Sequence, residues 1–351
     1  MTNSFTSSGL FGSLFSDDAI ATKFSAASFT KRMLEFEASW TNALVEVGTV
    51  SAADGVAAIA AINAYGFGDL GPSSGRDGLP APGFVAALKH GLPAGAADAI
   101  HKGATSQDVI DTATVLTCRA VAEDLRARMQ TVVSQVDELE HRFGARQMMA
   151  RTRMQGALPA TVGLRLGAWK RPLMDHLARL DGVLDDLSFA QIGGAIGLRN
   201  TPEGQGDRVA ASVAASLGLR LGPVWHADRS AIMAFGHWLA LVTGTLGKIG
   251  QDVALMAQQG VDEIAMSSGG GSSAMPHKQN PIAAETMVTL ARFVAGQQGV
   301  LLQAMVHEQE RSGAAWALEW MTLPAMAEAT GASLNHAVRL LGSVARMGAA
   351  D

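Results

Sequence analysis

Residues 267–281 concentrate the residue types that bind and activate an anionic substrate. Three consecutive glycines stand at positions 269–271, and two serines, one lysine and one asparagine follow within nine residues. Ordering so many glycines costs considerable backbone entropy, so a purely structural loop rarely uses them. The pattern predicts a mobile flap whose backbone N–H groups and polar side chains stabilise negative charge.

Two glycine-rich loops that bind nucleotides are excluded for this segment. A phosphate-binding loop needs a preceding strand and the spacing Gly-x-x-x-x-Gly-Lys-Ser/Thr, and both are absent. The dinucleotide fingerprint also requires a strand before its glycines, so it is excluded for the same reason. A flexible linker remains as an alternative, which the serine, lysine and asparagine side chains disfavour.

Two further polar segments, residues 101–108 and 151–159, lie immediately before predicted long helices. Each segment brings hydroxyls, amides and cations to a helix terminus. Free backbone N–H groups and the helix dipole favour anions at such a position. We therefore expect the substrate to bind and react at helix ends, where these two segments and residues 267–281 lie.

The helices themselves are indicated by apolar residues that recur alternately three and four positions apart, at residues 115–143, 166–187 and 232–256. Such a sustained repeat is typical of long helices that pack along a continuous seam. At about 1.5 Å per residue, we predict rods on the order of 40–50 Å. Pro172 lies within the second stretch, where a proline can kink a helix.

These rods predict an all-α fold built on a long-helix bundle. A small helical N-terminal domain is expected at residues 1–100, where the amphipathic patterns are shorter, and the bundle domain at residues 101–351. Beyond Pro324 the chain is expected to continue as an Ala/Leu-rich helix. One chain supplies too few rods to cover every apolar face, so a bundle shared between chains is preferred over a monomeric bundle.

Composition and charge argue against nucleic acid, a membrane and a metal ion as partners of this protein. The net charge is −5 and the 27 basic residues are scattered, so no nucleic-acid surface is predicted. No apolar run is expected to reach the roughly 20 residues that span a bilayer, and the N-terminus lacks a signal-peptide pattern, which together favour a cytoplasmic protein. Cys118 is the only cysteine and the histidines lack metal-ligand spacing, so no metal is expected.

The loop at residues 271–281, Gly-Ser-Ser-Ala-Met-Pro-His-Lys-Gln-Asn-Pro, resembles the signature loop of the fumarase/aspartase superfamily. Residues 105–108 (Thr-Ser-Gln-Asp) and 152–155 (Thr-Arg-Met-Gln) are similar to its two other conserved segments, in the same order. Residues 10–17 and 307–320 resemble the branch of the superfamily that lactonises 3-carboxymuconate.

The resemblance implies a homotetramer with a shared central core of long helices, and active sites that are each built from three chains. It implies cofactor-free chemistry on a small di- or tricarboxylate, in which a proton moves at the carbon next to a carboxylate. Proton transfer is assigned to Ser272, and stabilisation of the developing charge to Lys278 and Asn280. The substrate-binding residues that it implies are His101, Thr105, Ser106, Thr152, Arg153, Gln155 and Arg229.

Two departures from the superfamily pattern bear on function. Arg153 stands where many members carry a histidine as general acid, and Glu285 matches the carboxylate that usually orients that histidine. Arg153 is expected to bind a substrate anion, with pairing to Glu285 as the alternative. Many members also continue into a further helical domain after the bundle, so that domain is expected to be truncated or missing.

Addition of a substrate carboxylate to its own double bond fits Arg153 best, because a carboxylate leaving group in the reverse direction needs no proton. A β-elimination lyase of the same superfamily, such as an adenylosuccinate lyase, is the alternative among enzymes. A helical scaffold without activity is the alternative outside enzymes. The intact Ser272, Lys278 and Asn280 argue against the scaffold.

Overall fold

The computed structural model describes residues 9–66, 68, 70–267, 270 and 279–349. Seven helices lie in the described part of the first hundred residues. They are α1 (Gly12–Phe15), α2 (Asp18–Lys23), α3 (Ala26–Glu46), α4 (Ala52–Ala64), α5 (Gly71–Asp77), α6 (Ala81–Lys89) and α7 (Ala94–Ala99). Buried side chains before and after residue 100 belong to one continuous hydrophobic core, so the division into two domains at that point remains a prediction.

The three predicted rods are confirmed as long helices. The second half of the chain forms α8 (Ser106–Phe143), α9 (Val162–Asp186), α10 (Gly206–Ser216), α11 (Ser230–Met256), α12 (Ile282–Gln303) and α13 (Ala314–Gly342). The predicted seams face the core, as Val121 and Leu125 of α8 and Leu246 of α11 illustrate by full burial. Pro172 lies inside α9 and Pro324 inside α13, so neither proline ends its helix.

The all-α prediction needs a correction, because the described residues, although mostly helical, also form two antiparallel sheets of two strands each. The strands are β1 (Gln147–Thr152), β2 (Gln155–Thr161), β3 (Ile264–Met266) and β4 (Val344–Met347), with β1 paired to β2 and β3 paired to β4. The sheets join the ends of the long helices: β1 and β2 connect α8 to α9, and β4 follows α13 directly. They were missed because each strand is short and its sequence shows no clear alternation of apolar and polar residues.

One described helix, α11, also corrects the expectation about apolar runs. Its 27 residues are long and apolar enough to cross a bilayer by length and composition. More than half of its most apolar stretch is buried, and it packs against α9, α12 and α13. Contact with three other helices is the environment expected for a central helix of a bundle.

Candidate active site

The N-terminus of α8 is fixed by side chains that satisfy its free backbone groups. Thr105 caps the helix, and its own N–H donates to Asp108 Oδ2 at 3.0 Å in a capping box. The carboxylate of Asp108 is fully buried and also accepts from the backbone N–H groups of Gly193 (2.8 Å) and Gly194 (3.0 Å). The predicted helix start is confirmed, and it leaves Thr105 and the half-buried Ser106 at a rigid terminus that favours an anion.

His101 lies just before this terminus and is held in a left-handed conformation, with φ of 56°. Its Nδ1 lies 2.5 Å from Oε1 of the fully buried Glu37, and Trp40 Nε1 donates to the carbonyl of Lys102 at 2.9 Å. Burial alone would lower the pKa of His101, but the charge and the hydrogen bond of Glu37 outweigh it, so the pKa lies above 6.5. The imidazole is therefore biased towards its cationic form beside the helix terminus.

Arg311 reaches the same helix start, although the sequence predictions did not include it. Its Nη1 donates to Thr105 Oγ1 at 2.6 Å, and its Nε donates to Gln107 Oε1 at 3.3 Å. Arg311 lies in the connection between α12 and α13, within the segment that resembles the lactonising branch. That resemblance was the available signal, but the 206 residues that separate Arg311 from Thr105 hid the contact.

Arg229, predicted to bind substrate, forms buried ion pairs with two carboxylates of the chain itself. Its guanidinium is fully buried and donates to both oxygens of Asp111, at 2.7 and 3.0 Å, and to both oxygens of Glu319, at 2.8 and 2.6 Å. The fifth N–H faces the carbonyl of Trp225 at 3.5 Å. Burial opposes the charge, but the two carboxylates outweigh it and raise the pKa of Arg229. With every N–H occupied, Arg229 ties α8 to α13 rather than contacting a substrate.

Thr152, Arg153 and Gln155 lie at the exposed tip of the hairpin formed by β1 and β2. Arg153 and Met154 are the two central residues of the turn, with φ of 49° and 67°. Two successive left-handed residues are the geometry of a tight hairpin turn, usually built from Asn or Gly. The turn therefore presents the Arg153 side chain to the outside of the chain.

Strand β1 of this hairpin is anchored by Glu263, which is buried. Its carboxylate pairs with Arg151 and accepts from the backbone N–H of Met149 at 3.2 Å. Arg153 and Glu285, by contrast, are both exposed, and no ion pair joins them among the described residues of this chain. The alternative in which Arg153 merely pairs with Glu285 is not supported within one chain.

Of the three predicted catalytic residues, Ser272 and Lys278 lie outside the described residues. The base of their loop is described, because Gly270 and Asn280 exchange two backbone hydrogen bonds of 3.1 and 2.9 Å. Asn280 is half-buried and precedes α12 by one proline. The closed base fixes where the loop leaves and rejoins the bundle.

The predicted site residues fall at opposite ends of the bundle. His101, Thr105 and Ser106 lie at the N-terminus of α8, whereas the hairpin follows its C-terminus after 38 helical residues, or about 57 Å. The loop base lies at the hairpin end, since Ser267 N donates to Ser343 O at the end of α13 and Gly348 N donates to Glu263 O. One chain does not bring the two sets together.

No group of three or more His, Cys, Asp or Glu side chains is arranged to hold a metal ion in the part of the chain that the structure describes. Besides the fully buried carboxylates of Asp108 and Asp111, the polar groups at the start of α8 are hydroxyls, amides and cations. Cations and N–H donors bind an anionic substrate directly, so this end of the molecule suits a carboxylate.

Comparison with known proteins adds independent information. Residues 83–296 match the family model described as Lyase. A 3-carboxy-cis,cis-muconate cycloisomerase from Acinetobacter baylyi is 34% identical over 349 residues, which cover 95% of this chain and 76% of that protein. A nitrosuccinate lyase from Streptomyces davaonensis is 32% identical, over 95% of this chain and 74% of that protein.

The fold is shared with solved structures at similar coverage. The structure of 3-carboxy-cis,cis-muconate lactonizing enzyme from Pseudomonas putida superposes with a TM-score of 0.90 at 31% identity, covering 96% of this chain and 77% of that one. The agreement extends over nearly the whole chain, from the N-terminal helices to α13.

Proposed function

The chain belongs to the lyase family of the fumarase/aspartase superfamily, and we propose that it is a cycloisomerase. The substrate would be 3-carboxy-cis,cis-muconate, or a close 3-substituted analogue, and the product its muconolactone. Such a step belongs to the catabolism of aromatic compounds by the β-ketoadipate pathway. The identity to the Acinetobacter baylyi enzyme over 95% of this chain supports the proposal.

The proposed reaction is an intramolecular addition. A carboxylate oxygen of the substrate attacks the β-carbon of a conjugated double bond, and the π electrons move towards the neighbouring carboxylate as the C–O bond forms. Ser272 then delivers a proton to the carbon α to that carboxylate. Lys278, Asn280 and backbone N–H groups of the loop stabilise the doubly charged aci-carboxylate.

The presence of Arg153, in place of a general-acid histidine, favours cyclisation over elimination. In the reverse reaction the leaving group is a carboxylate, with a pKa of about 4, so it departs without a proton. A general-acid histidine at the hairpin tip is then dispensable. The exposed guanidinium of Arg153 instead binds one of the substrate's negative charges through a planar, bidentate contact.

Completing this site requires a second copy of the chain, and we propose the homotetramer of the superfamily. The two sets of site residues lie at opposite ends of α8, so the hairpin or the loop of one chain meets the Thr105 end of another. Exposed apolar side chains on the later helices provide surface for that assembly. They include Ile282, Phe293, Val300 and Leu302 of α12 and Met321 of α13, each at least 38% exposed.

Three further proposals concern the cofactor, the localisation and the substrate. The proposed addition and proton transfer use side chains and backbone N–H groups alone. The enzyme acts without a cofactor, in the cytoplasm, on a small anionic substrate. Neither nucleic acid nor membrane is expected as a partner, since the basic residues are scattered and α11 packs in the bundle core.

Turnover of 3-carboxy-cis,cis-muconate tests the function directly. Addition to the diene should remove its conjugated absorbance in the presence of the purified protein. A β-elimination lyase, such as the nitrosuccinate lyase relative, forms a new double bond instead, so activity on nitrosuccinate or adenylosuccinate alone would contradict the proposal.

Ser272→Ala provides the matched catalytic control. Its kcat should fall by far more than tenfold, which corresponds to more than about 1.4 kcal/mol of barrier, while the fold and assembly remain intact. A variant that keeps more than about a tenth of the wild-type kcat removes Ser272 from proton transfer.

A further inference from the structure

Arg311 and Arg229 are both held by side chains, but by partners of different charge. Arg229 is fully buried between two carboxylates, which cancel its charge. Arg311 donates hydrogen bonds to an amide oxygen, Gln107 Oε1, and to a hydroxyl, Thr105 Oγ1. Across residues 9–349, wherever the structure describes them, no carboxylate forms an ion pair with Arg311. Arg311 is therefore a positioned cation whose charge remains available.

The geometry leaves donors free for an anion. Arg311 is only partly buried, and its Nη2 has no partner among the described residues. Because Thr105 Oγ1 accepts from Arg311, its own hydroxyl hydrogen is free to donate outwards. Three N–H groups of Arg311, one on Nη1 and two on Nη2, and one O–H therefore remain for a carboxylate at the N-terminus of α8, where the helix adds its own favourable potential.

Gln107 is the residue that holds Arg311 without neutralising it. Its side chain is fully buried, and Nε2 donates to Asp111 Oδ2 at 3.0 Å and to the carbonyl of His226 at 2.9 Å. Both partners are acceptors, so the amide cannot rotate by half a turn without losing two hydrogen bonds. The oxygen Oε1 is consequently fixed towards Arg311.

The acceptor that fixes this amide is itself immobilised. Asp111 is fully buried and accepts from two nitrogens of Arg229 and from Trp316 Nε1 at 2.9 Å. Glu319 completes the cluster on the other side of Arg229. The buried charges thus orient Gln107 and, through it, Arg311.

We propose that Gln107 is a positioning residue that presents Arg311, as an uncompensated cation, to one carboxylate of the substrate. This inference rests on the proposed function for the identity of the substrate. It assigns no step of the reaction to Gln107: the residue acts through Arg311 on binding, and Arg311 contacts the substrate together with the Thr105 hydroxyl.

Steady-state kinetics on five variants test the proposal. R311M should raise KM by about ten- to a hundred-fold with a much smaller change in kcat, and R311K should recover part of the loss because an ammonium lacks the planar fork. Q107E places a carboxylate against Arg311 and should raise KM in the same way. Q107M, which removes the anchor and leaves the charge, should have a smaller effect. R76M, at a 74% exposed surface arginine, is the control for loss of one charge.

The double variant Q107E/R311M separates positioning from structure. If Gln107 acts through Arg311, Q107E adds little to the KM of R311M, so the two effects are not additive. The proposal would be overturned if Q107E raised KM by the same factor in the wild type and in R311M. It would also be overturned if Q107E lowered kcat without changing KM. Thermal melts beside the kinetics show whether a variant has simply lost its fold.

Calorimetric titration with propane-1,2,3-tricarboxylate, an unreactive trianion, tests the inference independently of turnover. Wild-type protein should bind it more tightly than R311M or Q107E, with R76M unchanged. If the wild type binds the trianion more tightly than R311M and Q107E but does not convert 3-carboxymuconate, the proposed function is wrong and the inference about the anion site is supported. If turnover is observed while R311M retains wild-type KM and affinity, the inference alone fails.

Discussion

At the scale of single residues, the cations around the start of α8 differ in whether a carboxylate compensates their charge. Arg229 is balanced by Asp111 and Glu319, and His101 is paired with Glu37. Arg311 alone among these three cations is held by neutral groups. The pattern separates Arg229, whose charge is used within the fold, from Arg311, whose uncompensated charge we propose binds an anionic substrate.

The pairing of His101 with Glu37 predicts how substrate binding depends on pH. The folded-state pKa of His101 is raised, so the cation is present below 6.5 and is lost only as the pH rises through the higher folded value. Glu37 and Asp108 favour the cation, whereas Lys89 and burial oppose it. KM should therefore begin to rise at a higher pH than it would for a histidine of ordinary pKa.

Glu37→Gln is the test of that assignment. Without the buried carboxylate, burial and Lys89 lower the pKa of His101, so KM should begin to rise at a lower pH than in the wild type. His101→Gln should remove this inflection altogether. KM measured from about pH 5 to about pH 9 gives the comparison, and an inflection that is identical in all three proteins rules out His101 as its source.

The residues at the start of α8 show what local sequence could and could not predict. A hydroxyl-rich segment before a long apolar repeat indicates a capped helix end, and the resemblance to the superfamily singles out His101, Thr105 and Ser106 in that segment. Arg229 was expected to bind substrate, but its two carboxylate partners come from helices far apart in the sequence. Arg311 was missed for the same reason, since its contacts depend on packing of α13 against α8.

At the scale of elements, the long helices follow from periodicity and the hairpin does not. The 3.5-residue repeats mark α8, α9 and α11 because each of them must bury one continuous face. The turn at Arg153 and Met154 lacks the Asn-Gly or Asp-Gly pair that usually marks a tight hairpin. Tertiary anchoring by Glu263 stabilises it, and no local pattern reports that anchor.

The hairpin tip gives a prediction about Arg153. Arg153→Ala should raise KM with a smaller effect on kcat, by roughly ten- to a hundred-fold in kcat/KM, because a charge-assisted hydrogen bond to substrate is lost. Arg153→Lys should recover only part of this, and Arg153→His should give no better cycloisomerase. Steady-state kinetics provide the measurement.

Arg151→Ala is the contrasting variant on the same strand. Arg151 pairs with the buried Glu263, so its loss should lower Tm, whereas loss of the exposed Arg153 should leave Tm nearly unchanged. An Arg153→Ala protein that melts much lower yet keeps its KM would assign Arg153 to the fold rather than to the substrate.

At the scale of the whole molecule, the length of α8 separates the two sets of predicted site residues, so we propose that activity requires assembly of several chains. Light scattering should give about four times the chain mass of 36.4 kDa. At substrate concentrations far below the KM of R311M, co-expression of Ser272→Ala with R311M should give more activity than either variant alone, because some sites then combine an intact loop with an intact Arg311. A monomeric mass, or the absence of complementation, contradicts a site shared between chains.

The most direct test of the cycloisomerase proposal is to identify the product formed from 3-carboxy-cis,cis-muconate in D₂O. Protonation of the α-carbon from an enzyme group that exchanges with solvent should place one deuterium on that carbon of the lactone, as NMR would show. The diene absorbance should disappear at the same rate. Recovery of unreacted 3-carboxymuconate, or a lactone without deuterium at that carbon, would contradict the proposed addition and proton transfer.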